Sequence, residues 1–294
     1  SSDWSSDVCS SDLAQAELVY EGFNYGSVYG TLSGKNTTGS GTIGLTGSYS
    51  TPASNDDAYV DYDPVGLTFS SNFPAVSGGA GRLYLAEDDT GTLYNIARVN
   101  LDVGSVTGTL YGGYLVRMSG NDWAVAEDWM GLRMSSNDNL GIHANAKGAT
   151  SGNNIGVSYN GVPGDSGNGA LLVDTTYLLI AEFTDIGTGS AGNAKMWALT
   201  ESDYDDWVAG GATAGSLGTY ASVTASKTGT AAVDFTGGLD WAIAGRSPTP
   251  TGQLDGKVDE LRFTQDISDF VVPEPGTSLL TVCGLTVFAL RRRR

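Results

Sequence analysis

Aspartate and glutamate come closest to a reactive set in this 294-residue sequence. Hydrolysis of a glycosidic bond with retention needs two carboxyl groups about 5–5.5 Å apart. The nearest candidates are Glu87-Asp88-Asp89, Glu127-Asp128 and Asp259-Glu260. Adjacent residues of a strand point to opposite faces, so adjacent acids do not make a one-strand pair. A working pair would have to come from separate strands. His143 is the only histidine, which excludes multi-histidine metal sites. In GIHANA it reads as an ordinary strand or loop residue, leaving at most one imidazole base. No Gly-x-Ser-x-Gly elbow, P-loop or dinucleotide fingerprint occurs. The expectation is a protein that is not an enzyme.

Binding is the other chemistry open to these residues. Sugars stack on aromatic faces while polar side chains at the edge fix their hydroxyls. Trp129, with Asp128 before it and Arg133 on the same predicted strand face, is the leading candidate contact, and Trp123 resembles it. The competing reading is a tryptophan packed against the facing sheet, the commoner fate of strand aromatics. Trp197 and Trp241 read as core. Hard cations want several loop oxygens. Asp56, Asp57, Asp61 and Asp63, or the run at 87–89, would supply them. Neither has EF-hand spacing, and solvated acidic turns explain both. At most a structural calcium is expected, and no other cofactor.

The net charge of −18 repels phosphate backbones, so no nucleic acid partner is expected. Cys9 and Cys283, the only cysteines, lie in the two ends, which leaves the body without a disulfide framework or thiolate site. Glycine is 42 residues, and Ser, Thr, Asn and Asp recur between short apolar runs, as turns do between short strands.

Strands must therefore position whatever site exists. In TLYGGYLVRMS, Leu110, Tyr114, Val116 and Met118 share one face, with Tyr111, Leu115 and Arg117 on the other. In WMGLRMS, Met130, Leu132 and Met134 alternate against Trp129, Gly131 and Arg133. TTYLLIAEFT is apolar on both faces, as a central strand would be. Lys195 to Leu199, after a glycine-rich turn, reads as its hairpin partner. Near the end, Leu254, Gly256 and Val258 keep one parity while Leu261 and Phe263 keep the other, which predicts a bulge at Asp259-Glu260. One helix stands out: Thr200-Glu201-Ser202-Asp203 is capping-box-like and Gly210-Gly211 is a stop. Tyr204, Trp207 and Val208 fall on one stripe between them, and a place on the sandwich rim is expected. The fold class is all-β: a two-sheet antiparallel sandwich over 17–271 with one short rim helix.

The ends read differently. Residues 1–13 repeat Ser-Ser-Asp without a basic or an apolar region, resemble translated adapter sequence, and are set outside the fold; as genuine chain they would be a disordered acidic leader. Residues 14–16, Ala-Gln-Ala, fit the small-residue site of signal-peptide cleavage. At the other end, 276–290 carries no charge and as a helix would span about 22 Å, against a hydrocarbon core of about 30 Å. Pro273 and Pro275 bar helix from extending upstream, and Arg291, Arg292, Arg293 and Arg294 would stay cytoplasmic.

Val272, Pro273, Glu274, Pro275 and Gly276, then the apolar segment and the four arginines, resemble the PEP-CTERM sorting signal of Gram-negative bacteria. Cys283, Thr281 and Thr286 depart from the usual leucine and alanine. The resemblance implies a C-terminal hydrophobic transmembrane helix, a transient inner-membrane anchor, trimming by an exosortase, and delivery to the cell surface or extracellular polysaccharide matrix. LVYEGFNYG at 18–26, GSGTIGLTGSY, TTYLLIAEFT, MWALTESDYDDW and GKVDELRFTQD resemble, in the same order, concanavalin A-like/laminin-G-like jelly-roll proteins that carry such tails. That fold hosts both lectins and glycan hydrolases. The Glu-x-Asp-x-x-Glu or Glu-x-Asp-x-Glu array typical of its hydrolases does not occur here. The resemblance thus implies an exported, non-catalytic, glycan-binding or matrix-structural protein. The alternative is a secreted glycoside hydrolase with its carboxylates on separate strands.

Overall fold

A computed structural model describes residues 17–51, 60–74, 78–85, 93–120, 129–134, 139–144, 154–165, 171–247 and 254–271. The predicted sorting segment from Val272 onward, including the hydrophobic stretch 276–290, lies outside the described residues. Two sheets face each other. Numbered along the chain, the first runs in space β14 (Val223–Thr228), β13 (Asn193–Leu199), β12 (Thr176–Ile186), β7 (Gly108–Gly120), β16 (Leu254–Thr264), β5 (Ala80–Leu85), β4 (Val60–Asp63) and β2 (Gly30–Thr31). A ninth strand, β1 (Val19–Glu21), also pairs with β16. The second sheet runs β11 (Val162–Asp165), β10 (Ile155–Tyr159), β9 (Leu140–Ala144), β8 (Trp129–Met134), β15 (Asp240–Ser247), β6 (Leu93–Leu101) and β3 (Leu45–Ser50). The pairings are antiparallel, so the fold is the mostly β, two-sheet architecture the alternation predicts.

Period-two patterning sets the core. Leu110, Tyr114, Val116 and Met118 of β7 meet Met130, Leu132 and Met134 of β8 between the sheets. Trp241 of β15 packs edge-on to Phe263 of β16, ring centres 4.7 Å apart. Gly112 lies beneath that ring: a Cβ there would fall 2.3 Å from Phe263. Burying one large side chain in such a layer contributes about 2–3 kcal/mol.

The two-faced apolar character of β12 has a second cause. Its inner side chains Leu179, Ala181 and Phe183 join the main core. Its outer ones, Leu178 and Ile180, are covered by Tyr204 and Trp207 of α1 (Glu201–Ala209), Leu217 of α2 (Leu217–Tyr220) and Phe270. The capping box forms as read: the Asp203 amide donates to Thr200 Oγ1 at 3.2 Å and the Thr200 amide to Asp203 Oδ2 at 3.0 Å. The helix does not sit on the rim. It lies on the outer face of the nine-stranded sheet, because Tyr204 and Trp207 find apolar cover there. Trp197 belongs to this outer layer.

The predicted bulge is present. The β16–β7 register jumps between Asp259 and Arg262, and Glu260 takes a φ of +52°. Strand β5 pairs with Leu254–Val258 and β1 with Leu261–Phe263, so the bulge separates two neighbours of one strand.

Candidate functional site

The outer face of the nine-stranded sheet is only partly covered by helix. On its open part the register builds a row across five strands. Asp61 of β4 lies opposite Arg82 of β5, Arg82 opposite Lys257 of β16, Lys257 opposite Arg117 of β7, and Arg117 opposite Thr176 of β12. A second row runs Tyr84, Asp255, Ser119. These side chains face outward because their neighbours Val60, Tyr62, Leu83, Val258, Val116, Met118 and Tyr177 are committed to the core. At about 4.8 Å between strands the longer row spans about 19 Å.

Opposite charges tie the rows together. Arg82 donates through Nε and Nη2 to both oxygens of Asp255, at 2.8 and 2.6 Å. Those bonds push the Arg82 guanidinium further up, against the opposing effect of partial burial. Lys257 Nζ lies 2.8 Å from Asp63 and donates to the Val65 carbonyl at 3.2 Å. Partial burial works to raise the Asp63 carboxyl, but the Lys257 and Val65 hydrogen bonds outweigh it and hold it below its ordinary value. Arg117 reaches Asp174 at 3.4 Å. Two tyrosines bracket Arg82. Its guanidinium carbon is 5.3 Å from the Tyr84 ring and 6.0 Å from the Tyr29 ring, and the Tyr29 hydroxyl donates to Asp61. Tyr84 of β5 is 40 % exposed and Tyr29, just before β2, 49 %.

The rows lead into a concavity. A 410 Å³ depression over Arg117, Ser119, Asp255 and Lys257 shares Thr68 and Thr176 with a 720 Å³ cleft. The cleft is walled by Phe69 and by Glu201, Ser202, Asp205 and Asp206 around the start of α1. Segment 65–69 is pinned at its base by Asp259, whose carboxylate accepts from the Leu67 amide at 2.7 Å. Gly66 permits that approach, since a Cβ there would fall 2.6 Å from the same oxygen. Further along, Asp205 accepts from Ser70 and, at 2.9 Å, from Asn72 Nδ2, so this acid is spent fastening the loop to the helix.

The residues singled out from sequence fall in several places. Asp61 lies in the outward row and Asp63 beside it on the same strand, where their oxygens meet Tyr29 and Lys257. Asp56 and Asp57 lie outside the described residues, as do Trp123, Asp128 and the acids at 87–89 and 127. Among the described residues, no three Asp, Glu, His or Cys side chains gather as a metal site. Trp129 and Arg133 do share a face, the outer one of the seven-stranded sheet, with the guanidinium carbon 6.0 Å from the indole. Both are buried, Trp129 to 1 % exposure, among Ile96, Ala242 and Ala244, so the ring as it stands offers no open platform for a sugar. His143 joins them edge-on at 5.1 Å, which sequence reading did not anticipate.

Asp259 and Glu260 are buried and belong to a network that sequence reading missed. Glu21 of β1, fully buried, accepts from the Phe23 amide at 2.6 Å and from the hydroxyls of Tyr25 and Tyr49 at 2.6 and 3.1 Å. Burial pushes its carboxyl up to about 7 against those hydrogen bonds. Burial, then the Glu260 charge, pushes Asp259 well above its ordinary value. Glu260 accepts from Tyr20 Oη at 2.9 Å and from Arg262 at 3.0 Å. Arg262 also donates to Glu17 at 2.5 Å and to the carbonyls of Pro74 and Asp269. Glu260 thus ties the first strand to the last through Tyr20, Glu21 ties it to Tyr49 of β3, and Asp259 fastens segment 65–69.

The molecule is thus a two-sheet β-sandwich with an open polar and aromatic face on its larger sheet. No protein-family model matches the chain, and no curated protein is similar to it. Solved structures of similar outline include the binding domain of botulinum neurotoxin serotype C1 (9 % identity, TM-score 0.42, covering 82 % of this chain and 50 % of that one). Others are lectin II from Ulex europaeus (8 %, 0.40, 85 % and 99 %) and a GH131 beta-glucanase catalytic domain from Podospora anserina (8 %, 0.41, 70 % and 79 %). The chain spans half the length of the neurotoxin domain it resembles. At TM-scores below 0.5 these likenesses carry no functional weight.

Proposed function

We propose that the chain is an exported, non-catalytic protein of the cell surface or extracellular matrix that binds glycan on the outer face of its nine-stranded sheet. One observation carries the reading: two exposed tyrosines flank a fixed arginine at the head of a polar row that runs into a cleft. Ring faces suit the C–H face of a pyranose, and the row offers donors and acceptors for its hydroxyls. Glycan-array binding by the full chain tests this. Tyr84→Ala and Tyr29→Ala should each weaken binding on the order of tenfold, about 1.4 kcal/mol. Unchanged binding in both variants would remove this face from consideration.

Delivery is assigned to 272–294 acting as a sorting signal that an exosortase trims after transient inner-membrane anchoring. Its support is the Pro-Glu-Pro, apolar and four-arginine order. No helix among the described residues is long and apolar enough to cross a membrane. Mass spectrometry of the mature protein should find the arginines gone, and recovering them on extracellular protein would refute the assignment.

A second reading is favoured by the cleft itself, where Asp174, from the turn before β12, faces the same space as Glu201 and Asp206 of α1. If the chain is a hydrolase of that kind, reducing-sugar release will be lost on Glu201→Gln or Asp206→Asn.

A further inference from the structure

We infer that the glycan taken by this face is uncharged. This rests on the glycan reading above and adds the class of sugar. A uronate, sulfate or phosphate group on a polysaccharide is held by unspent cations, best by a bidentate arginine fork. The outward rows contain three cations, and each already has an acid of its own. The Arg82 fork is closed on both oxygens of Asp255. Lys257 sits on Asp63 at 2.8 Å, and Arg117, the most exposed of the three, on Asp174.

Farther along, the field turns against anions. The 720 Å³ cleft is lined by Asp174, Glu201, Asp205 and Asp206, with no Lys or Arg among its lining residues. The chain as a whole carries −18, so a polyanion would approach against repulsion at long range. An uncharged chain meets none of these costs. It finds the tyrosine rings at one end and the hydroxyls of Ser119, Thr68, Thr175 and Thr176 at the other.

Affinity electrophoresis of the full chain separates the outcomes. The gels contain laminarin, dextran or hydroxyethylcellulose as uncharged polymers, or alginate or polygalacturonate as anionic ones, at low and high salt. The expected result is retardation by at least one uncharged polymer, equal at both salts and lost in Tyr84→Ala, with no retardation by the anionic pair. Asp255→Asn opens the Arg82 fork and should add salt-sensitive retardation by alginate, with the circular dichroism spectrum unchanged. Retardation of the unsubstituted chain by alginate or polygalacturonate would overturn the inference and leave the glycan reading standing. Retardation by no polymer would overturn both. An Asp255→Asn variant that folds and still ignores alginate would show that the pairing does not exclude anions, which also overturns the inference.

Discussion

Strand β16 carries two charged regions on one face, and they could hardly differ more. Before the bulge, Asp255 and Lys257 stand on the open sheet, with their partners Arg82 and Asp63 beside them. After it, Glu260 and Arg262 are buried to 1 % and 3 % exposure beneath β1 and the segments around Pro74 and Asp269. The residue types are alike; the cover is what changes. Open pairs are screened and exchange partners with water, so they can be used for binding. Covered pairs cannot, because an ion left alone there has no solvent to turn to. The lesson is that charge on this sheet is open to solvent or locked into the scaffold according to which neighbour β16 has at that point, β5 or β1.

The comparison can be broken most directly at Arg262. Its guanidinium holds Glu17, Glu260 and two backbone carbonyls from separate parts of the chain. Arg262→Ala strands Glu260 in the interior, and removing one partner of a buried pair costs about 3–5 kcal/mol. Urea unfolding should show that loss in the midpoint, and high salt should not restore it. Hydrogen exchange at Val19–Glu21 should rise in the same variant, since β1 pairs with only three residues of β16. A cost below about 1 kcal/mol, the range of exposed pairs, would mean the two regions do not differ.

Much of this contrast was readable in the residues, and the unread part has a physical reason. The parity switch between Val258 and Leu261 announces the bulge, because two inward residues of opposite parity cannot share an unbroken strand. The capping box and the Tyr204/Trp207 stripe announce α1, since both are local. Where the helix docks is not local: it depends on Leu178 and Ile180 more than twenty residues upstream turning their outer side to it. Trp129 and Arg133 share a face as alternation requires, yet alternation is silent on whether that face is covered. Arg82 and Tyr84 alternate with Leu83 in plain view, but only pairing sets Tyr84 opposite Asp255 and Arg82 opposite Lys257. Glu21 lay hidden for the same reason, since its tyrosine partners come from Tyr25 and from Tyr49 on another strand.

The next test uses pH. Glu17 and Glu260 meet Arg262, Glu21 and Asp259 are buried near Glu260, and burial raises the carboxyls of Glu17, Glu21 and Asp259. A carboxyl raised on folding binds its proton more tightly in the folded chain, so its contribution is full below the unfolded value and is lost as pH rises through the folded one. For Glu21 that window runs from its ordinary 4.5 to about 7. The protein should therefore lose stability from pH 5 to pH 8, by up to about 3 kcal/mol from this group. Asp63, held low in the open region, titrates below that window and does not oppose the trend. Glu21→Gln keeps the shape, removes the titration and should flatten the curve. A midpoint that climbs between pH 5 and pH 8 would contradict burial outweighing the hydrogen bonds of these acids.

The smallest effect is the most discriminating one. Lys257 is five residues from Arg262, on the same strand and the same face, and also pairs with an acid and a carbonyl. The kinds of partner alone, acid and carbonyl in both cases, would give the two residues comparable weight. Solvent decides otherwise: the Lys257 side chain keeps 26 % of its exposure and Asp63 16 %, so water can take over what the pair releases. Lys257→Ala should cost about 1 kcal/mol or less, shrink further in high salt, and leave exchange at β1 unchanged. Under the proposed glycan reading its consequence falls on binding, because the cation lies in the row leading from the tyrosines to the cleft. If Lys257→Ala instead unfolds the protein as readily as Arg262→Ala, the open face is part of the scaffold and has no side chains to spare for a ligand.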